Sequence, residues 1–327
     1  MNPMIQGVIT IIVGVGGCVG YFYFANLVLD RVIFPARGQQ AGRNINRANA
    51  VRPWLFLFPA MFALGLYLVY PVFGSFIRSL YNRAGDEFIG FGNYSSLIQD
   101  EAFRSAFFNN FLWVLVVPAM ATFLGLLVAQ LTDRLRWGNI AKSLIFMPMA
   151  ISFVGASLIW RFVYANDPDI GIINAIRVFM GGEPLDPLQV PFWNNFFLMV
   201  ILIWIQTGFA MVILSAALRG IPEETVEAAI IDGANPFQIF FKIKIPQIAG
   251  TIVVVWTTIT IVVLKVFDIV FAMTNGQWET QVLANYMYDK LFRANDWGVG
   301  SASAMIIMLM VTPILVWNVY NARKEMR

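Results

Sequence analysis

Residues 227–246 read EAAIIDGANPFQIFFKIKIP, an acid-led polar stretch set between two apolar spans in a chain that otherwise avoids charge. Its spacing is Glu-Ala-Ala, three residues, Gly, nine residues, then Ile-x-Ile-Pro, carried by Glu227, Ala228, Ala229, Gly233, Ile243, Ile245 and Pro246. Pro222 suits a first helical position, and Glu223, Glu224 and Glu227 stand where acids complement the helix dipole. A short helix is therefore predicted from about Pro222 to Ile231. Gly233 permits a turn that a Cβ resists, and Pro236 starts a second short helix through Phe237 to Lys242. The expected unit is a helix–turn–helix lying along a membrane surface. Read from charge alone, such a loop is either a partner-docking surface or an amphipathic cap on the bundle.

The rest of the chain supplies the membrane. Of its 327 residues 59% are hydrophobic and 13% charged, which fits a polytopic membrane protein and not a soluble domain. The net charge of +3 is small and gathered on one side, so it bears on orientation and gives no basis for nucleic-acid binding. The single cysteine, Cys18, excludes an internal disulfide and a cysteine-rich metal site. Histidine is absent, so no Ser/His/Asp, Cys/His or HExxH arrangement can be built, and neither a catalytic residue nor a metal is expected. No phosphate loop of the G-x-x-x-x-G-K-[ST] kind occurs either.

A helix needs roughly 20 apolar residues to cross a bilayer. Seven stretches qualify: about Met4 to Leu29, Trp54 to Leu80, Asn110 to Leu131, Ser143 to Val163, Phe196 to Ala217, Gly250 to Phe271 and Ala302 to Val319. The first has no basic n-region and is followed by Arg31, so it reads as a retained span with its N-terminus outside, not as a signal peptide. Arg31, Arg37, Arg43, Arg47, Arg52, Arg134, Arg136, Lys142, Arg219, Lys242, Lys244, Arg323, Lys324 and Arg327 put 14 basic residues on one face. Arg83, Arg104, Arg177, Lys290 and Arg293 put 5 on the other, so the richer face is expected to be cytoplasmic and the C-terminus inside. The loop at Glu227 then faces the cytoplasm. The stretch from Gly38 to Arg52 reads as a solvated basic connection near anionic lipid, and the outer loops, with NDPDIG and GGEPLDP, read as small turn-rich caps.

The spacing at residues 227–246 resembles the cytoplasmic coupling loop of the membrane subunits of binding-protein-dependent ABC importers. The likeness covers about Val51 to Arg327, and FLFPAMFALGLYLVYPVFGSFIRSLYN, AKSLIFMPMAISFVGASLIWRFVY and FDIVFAMTNG resemble a sugar-importer permease of the maltose type. The nearest subfamily is that of permeases for α-glucosides and compatible solutes such as glucosylglycerol. Two departures count against maltose itself: Thr274 is followed by NGQWET where many relatives have Gly-Gly-Pro, and no large outer domain is inserted between Tyr81 and Ser105. The resemblance implies an all-α integral membrane protein of seven transmembrane helices, with an N-terminal helix and basic connection over 1–53 and a six-helix permease core over 54–327. The coupling loop would span 218–249, with Glu227, Ala228, Ala229, Asp232, Gly233, Ala234 and Pro246 meeting an ATPase.

It also implies partners: a second permease subunit forming a heterodimer, two ATP-binding subunits holding ATP and magnesium, and a soluble or lipid-anchored solute-binding protein outside the bacterial cytoplasmic membrane. The cargo would be an α-glucoside-like solute such as glucosylglycerol, sucrose, trehalose or maltose.

A sugar needs polar groups and aromatic faces partway through the membrane, where unpaired polar atoms are costly. Candidates are Met149, Ser152 and Phe153 beside Pro148, and Trp204, Gln206 and Phe209 in ILIWIQTGFAMV, with Thr207 next to them. By resemblance, Met149, Phe153, Gln206 and Phe209 occupy positions that line the sugar site of the maltose-type permease. Gln206 can equally be interhelical glue, and the aromatic residues ordinary packing. Lys265 and Asp268, three apart, are expected on one helix face, each costing about 2.5–3.5 kcal/mol if unpaired at a helix centre and tolerable as an ion pair. They would contact ligand, form a gate, or pair near the outer interface. Arg161 is expected to snorkel.

Two rival functions have sequence handles. An ion-driven secondary transporter would want a buried charged relay, for which only Lys265 and Asp268 offer residues. An integral-membrane transferase would want an interfacial acid cluster, for which Asp167, Asp169, Glu183 and Asp186 are the test.

Overall fold

A computed structural model of the chain describes residues 3–37, 40–133 and 135–325. Arg134 and Arg327, and the side chains of Arg323 and Lys324, which enter the charge count above, lie outside the described residues. The described chain is helical throughout, its one extended pairing being an isolated bridge between Tyr81 and Phe88. Five helices are long and apolar enough to cross a bilayer, and two bent pairs raise the number to as many as seven. The chain divides into two compact units, Met1–Gly74 and Ser75–Arg327.

In the first unit, α1 (Met4–Ile33) and the greater part of α2 (Ala41–Ser79) lie side by side. The Tyr21 hydroxyl donates to the Leu55 carbonyl at 3.0 Å, and the Phe22 and Phe56 rings meet at 5.2 Å. The basic stretch expected to be a solvated connection is helical from Ala41 onward. Its ordering contact is visible: Arg52 makes a fork to both Asp30 carboxylate oxygens, at 2.7 and 2.9 Å, and donates to Asn26 at 3.1 Å and Asn49 at 3.0 Å. A guanidinium held by four hydrogen bonds to three residues is a helix constituent and not a loose surface charge.

The second unit is built on two long helices, α4 (Glu101–Thr132) and α8 (Trp193–Arg219), with the short α3 (Gly92–Gln99) ahead of them. Trp113, Val117 and Ala121 of α4 and Leu198, Leu202, Ile205 and Met211 of α8 form much of the core. Their backbones come close because Gly125 faces Ala210; a Cβ at 125 would stand 2.4 Å from the Ala210 Cβ. Gly208 allows a second close approach; a Cβ there would stand 2.7 Å from the Ile145 carbonyl oxygen.

Two expected spans are broken. The fourth consists of α5 (Gly138–Ala150) and α6 (Phe153–Val163), bent by 107°. Met147–Ala150 forms a 3₁₀ turn at Pro148, and Ser152 restarts the helix as its N-cap, its hydroxyl accepting from the Gly155 amide at 3.1 Å. After the small helix α7 (Ile172–Phe179) and α8, the segment that holds the Glu-Ala-Ala stretch contains α9 (Glu223–Ile231) and α10 (Pro236–Gln247), the latter meeting α11 (Ala249–Leu264) at 69°. The span expected over Gly250 to Phe271 stops at Leu264. The Leu264 carbonyl accepts from the buried Asn110 side chain at 3.2 Å, and α12 (Asp268–Met273) begins after a non-helical Lys265–Phe267. The short α13 (Leu283–Tyr288) and the long α14 (Trp297–Glu325) complete the unit.

Both ends of this bundle are fastened by polar contacts. At the Asp133 end, Arg219 lies 3.0 Å and Lys142 3.6 Å from the same carboxylate oxygen, while Lys142 also bonds Ser215. At the other, Asp100 caps α4 through the Ala102 amide at 2.9 Å and accepts from Tyr286 at 2.7 Å and Lys290 at 3.1 Å. Arg161 is not a free snorkelling cation: it donates to the Ala272 carbonyl at 3.1 Å, tying α6 to α12.

Candidate translocation cavity and coupling surface

The break between α5 and α6 opens a cavity of about 400 Å³ against α8 and the start of α12. Met149, Ile151, Ser152, Phe153, Val154, Ile205, Gln206 and Asp268 line it. Five residues expected to contact a solute, Met149, Ser152, Phe153, Gln206 and Asp268, are thus brought together. Its volume lies within the range of about 300–1,000 Å³ typical of small-molecule sites. Gln206 is buried and, among the described residues, no hydrogen bond to another helix engages its amide, so the reading of Gln206 as interhelical glue finds no contact there. Its neighbour Thr207 is otherwise occupied, donating to the Ile203 carbonyl at 2.7 Å.

A smaller cavity of about 190 Å³ adjoins this one through shared Phe153 and Asp268 walls, and adds Lys265, Phe267 and Val262. The expected Lys265–Asp268 ion pair does not form. The helix ends between them, Lys265 being the C-cap of α11 and Asp268 the first residue of α12, so they do not share a helical face. Both instead face a common cavity. Trp204 and Phe209 line neither cavity: Trp204 packs edge-on against Trp160 at 5.8 Å, and both belong to the shell around the main core.

The segment between α8 and α11 forms the expected pair of helices. α9 carries Glu223 and Glu224 in its first turn, with Pro222 one position earlier than expected, as the N-cap. Asp232 ends the helix, Gly233 turns the chain at φ +81°, and the Ala234 amide closes on the Ala229 carbonyl at 2.9 Å. A reciprocal capping box then starts α10: the Asn235 side chain accepts from the Gln238 amide and the Gln238 side chain from the Asn235 amide, each at 2.9 Å. Glu227, Ala228, Asp232, Gly233 and Pro246 are exposed and Ala234 half-buried, whereas Ala229 is buried within the chain. Of the two alanines only Ala228 is therefore on the outer surface. Ile230 and Phe237 are strongly exposed, while Phe237, Phe240 and Phe241 also wall a groove of about 510 Å³ against Phe123, Leu126 and Leu127 of α4.

Residues 121–325 match the family of binding-protein-dependent transport system inner membrane components. The chain belongs to that family. It is the permease subunit of an ABC importer, translocating solute while ATPase activity resides in partner subunits. The alpha-glucoside transport system permease protein AglF of Rhizobium meliloti is 63% identical over 333 residues, covering 99% of each chain. The osmoprotective compounds uptake permease protein GgtC of Synechocystis is 45% identical over 279 residues, covering 84% of this chain and all of that one. In fold, the permease is similar to a chain of a bacterial alginate ABC transporter crystallised with an alginate pentasaccharide-bound periplasmic protein, with a TM-score of 0.74 at 20% identity, over 88% of this chain and 98% of that one.

Family membership leaves the ion-driven transporter and the transferase unsupported. The acids between α6 and α8 have local work in the permease: Asp167 accepts from the Asp169 amide at 3.0 Å and Asp186 from the Leu188 amide at 3.0 Å.

Sequence reasoning missed the asparagines that hold the loop around residues 275–283. Asn109 donates to the Glu279 and Gln281 carbonyls at 2.7 and 2.8 Å, Asn194 to the Trp278 carbonyl at 2.6 Å, and Asn110 accepts from the Leu283 amide at 2.8 Å. They clamp a loop with left-handed backbone at Asn275, Gly276, Trp278 and Glu279. The signal was there: both FFNNFLW and FWNNFF place paired amides in apolar surroundings.

Proposed function

We propose that this permease imports an α-glucoside across the bacterial cytoplasmic membrane as half of a heterodimer. It would have seven spans with its N-terminus outside, residues 1–53 forming an accessory span and connection and 54–327 the transporting core. The observation that carries the reading is the convergence of Met149, Ser152, Phe153, Gln206 and Asp268 on one cavity in a chain with an α-glucoside permease as its 63% identical relative. An amide and a carboxylate supply hydrogen-bonding groups for sugar hydroxyls, and Phe153 an apolar wall for the ring's C–H face.

At the cytoplasmic end, Glu227 and Asp232 carry exposed charge with no partner among the described residues, and Ala228 and Gly233 leave room for close approach. This surface is read as the seat for one of two ATP-binding subunits that hold ATP and magnesium, with Glu227 accepting a charge-assisted bond from a partner arginine. Ala234 supports the turn, Ala229 anchors α9 to its own chain, and Pro246 lies just ahead of the bend into α11. A solute-binding protein delivers cargo outside. ATP binding can drive the switch only through contacts that differ between the inward- and outward-facing states.

The test is the assembled importer in proteoliposomes. Sucrose, trehalose, glucosylglycerol and maltose, each loaded on the binding protein, are compared for stimulation of ATP hydrolysis against amino acids and inorganic ions. Stimulation by α-glucosides is expected; stimulation by a different solute class alone would contradict the reading.

A further inference from the structure

The smaller cavity has no role if one glucosyl ring in the larger cavity accounts for binding. At about 190 Å³ it falls below the usual size of an independent ligand site, yet it shares Phe153 and Asp268 with the 400 Å³ cavity, so it is an annexe to that cavity. Its walls are apolar except for Lys265 and Asp268. Neither side chain is hydrogen-bonded or ion-paired within the described residues, and the break after Leu264 places them apart, around one space. Lys265 is exposed and Asp268 half-buried on the cavity wall, so both charged groups are open to a molecule that enters the shared space.

An ammonium that only donates and a carboxylate that only accepts, facing one small space, match a neutral group rich in hydroxyls, because each hydroxyl can do both. Phe267 closes the lobe. Its ring is stacked on Phe271 at 5.0 Å and braced by Tyr288 at 5.3 Å, giving a fixed apolar wall for C–H groups.

We propose that the smaller lobe receives the aglycone of the transported glucoside, a polyol or second sugar ring, and that Lys265 and Asp268 read its hydroxyls while Ser152 and Gln206 hold the glucosyl ring. This rests on the α-glucoside reading and adds the residues that set specificity among α-glucosides.

The test measures uptake of methyl α-glucoside, glucosylglycerol and sucrose by the complete importer with its binding protein, for the unaltered permease and for Lys265→Met, Asp268→Asn and Gln206→Leu. Lys265→Met and Asp268→Asn are expected to lower uptake of glucosylglycerol and sucrose about ten-fold or more relative to methyl α-glucoside, the size of one lost charge-assisted hydrogen bond. Gln206→Leu should lower all three together. Lys265→Arg and Asp268→Glu, which keep the charge, should retain part of the preference. An equal effect of Lys265→Met and Asp268→Asn on all three solutes, or none, would overturn the proposal, as would charge-keeping variants as defective as the neutral ones. In those cases uptake by the unaltered permease still stands for the α-glucoside reading; if it takes up none of the three, both fall.

Discussion

Gln206 and Asn110 are amides in apolar helices with opposite fates. Asn110 is spent on the fold, its donor on the Leu264 carbonyl and its acceptor on the Leu283 amide; Gln206 lines the cavity with no such bond. Asn110→Ala should leave two buried backbone groups unpaired, at about 1–3 kcal/mol each, and lower the thermal midpoint of the detergent-solubilised permease by several degrees. Gln206→Leu should leave that midpoint nearly unchanged. Equal midpoints for Asn110→Ala and the unaltered chain would contradict this division. Asp100 gives a pH signature. Burial raises its pKa, but hydrogen bonds from Tyr286 and Lys290 and the Lys290 charge outweigh it and hold the carboxyl below its ordinary value. A lowered folded pKa means the stabilisation is complete above the unfolded value of about 3.9 and is lost as pH falls through the lower folded one. Thermal midpoints should therefore drop on acidification below about pH 4, and less so in Asp100→Asn; identical pH profiles would contradict it. Gln206 could be picked out of the sequence because a lone amide in ILIWIQTGFAMV is anomalous. What it touches could not, since that depends on which neighbouring helix is broken.

The breaks are the features of the elements that composition concealed. Seven apolar runs are readable from length and hydropathy, and the helices α9 and α10 from Pro222, Gly233 and Pro236. Hydropathy does not register that Ser152 caps a restarted helix, or that a side chain from α4 takes the carbonyl at the end of α11. Both are decided by contacts distant in sequence, which is why the expected Lys265–Asp268 helical pair dissolved into two groups around a cavity. The basic stretch before Trp54 failed similarly: Asp30, 22 residues away from Arg52, gives it a partner that local polarity does not reveal. Two elements invite direct tests. Loss of the capping box in Asn235→Ala should cost α10 about 1 kcal/mol and speed proteolysis between Asp232 and Phe237; an unchanged cleavage rate would argue that packing alone holds it. Gly125→Ala should force α4 and α8 apart and destabilise by about 1–3 kcal/mol, with Ala210→Gly recovering part of the loss. An undiminished midpoint in Gly125→Ala would show that the helix pair yields without cost.

Across the whole permease, the cavity and the exposed surface of α9 are joined by continuous chain: α8 runs from Gln206 to Arg219, three residues before α9 begins after Pro222. The pairing of Arg219 and Lys142 with Asp133 fastens the same end of α8 to α4 and α5. A displacement of α9 by a partner can thus reach the cavity through packed helices. Glu227→Lys should permit membrane insertion but uncouple ATP hydrolysis from uptake, with recovery on a reciprocal charge change in the ATPase; normal uptake by Glu227→Lys would remove that residue from the coupling surface. The central claim concerns the cavity itself, and the most direct measurement is an electron cryomicroscopy map of the complete importer trapped with sucrose during turnover. Sugar density between Ser152, Phe153, Gln206 and Asp268 is the predicted result. Density held entirely by the other permease subunit, with this cavity closed, would contradict it.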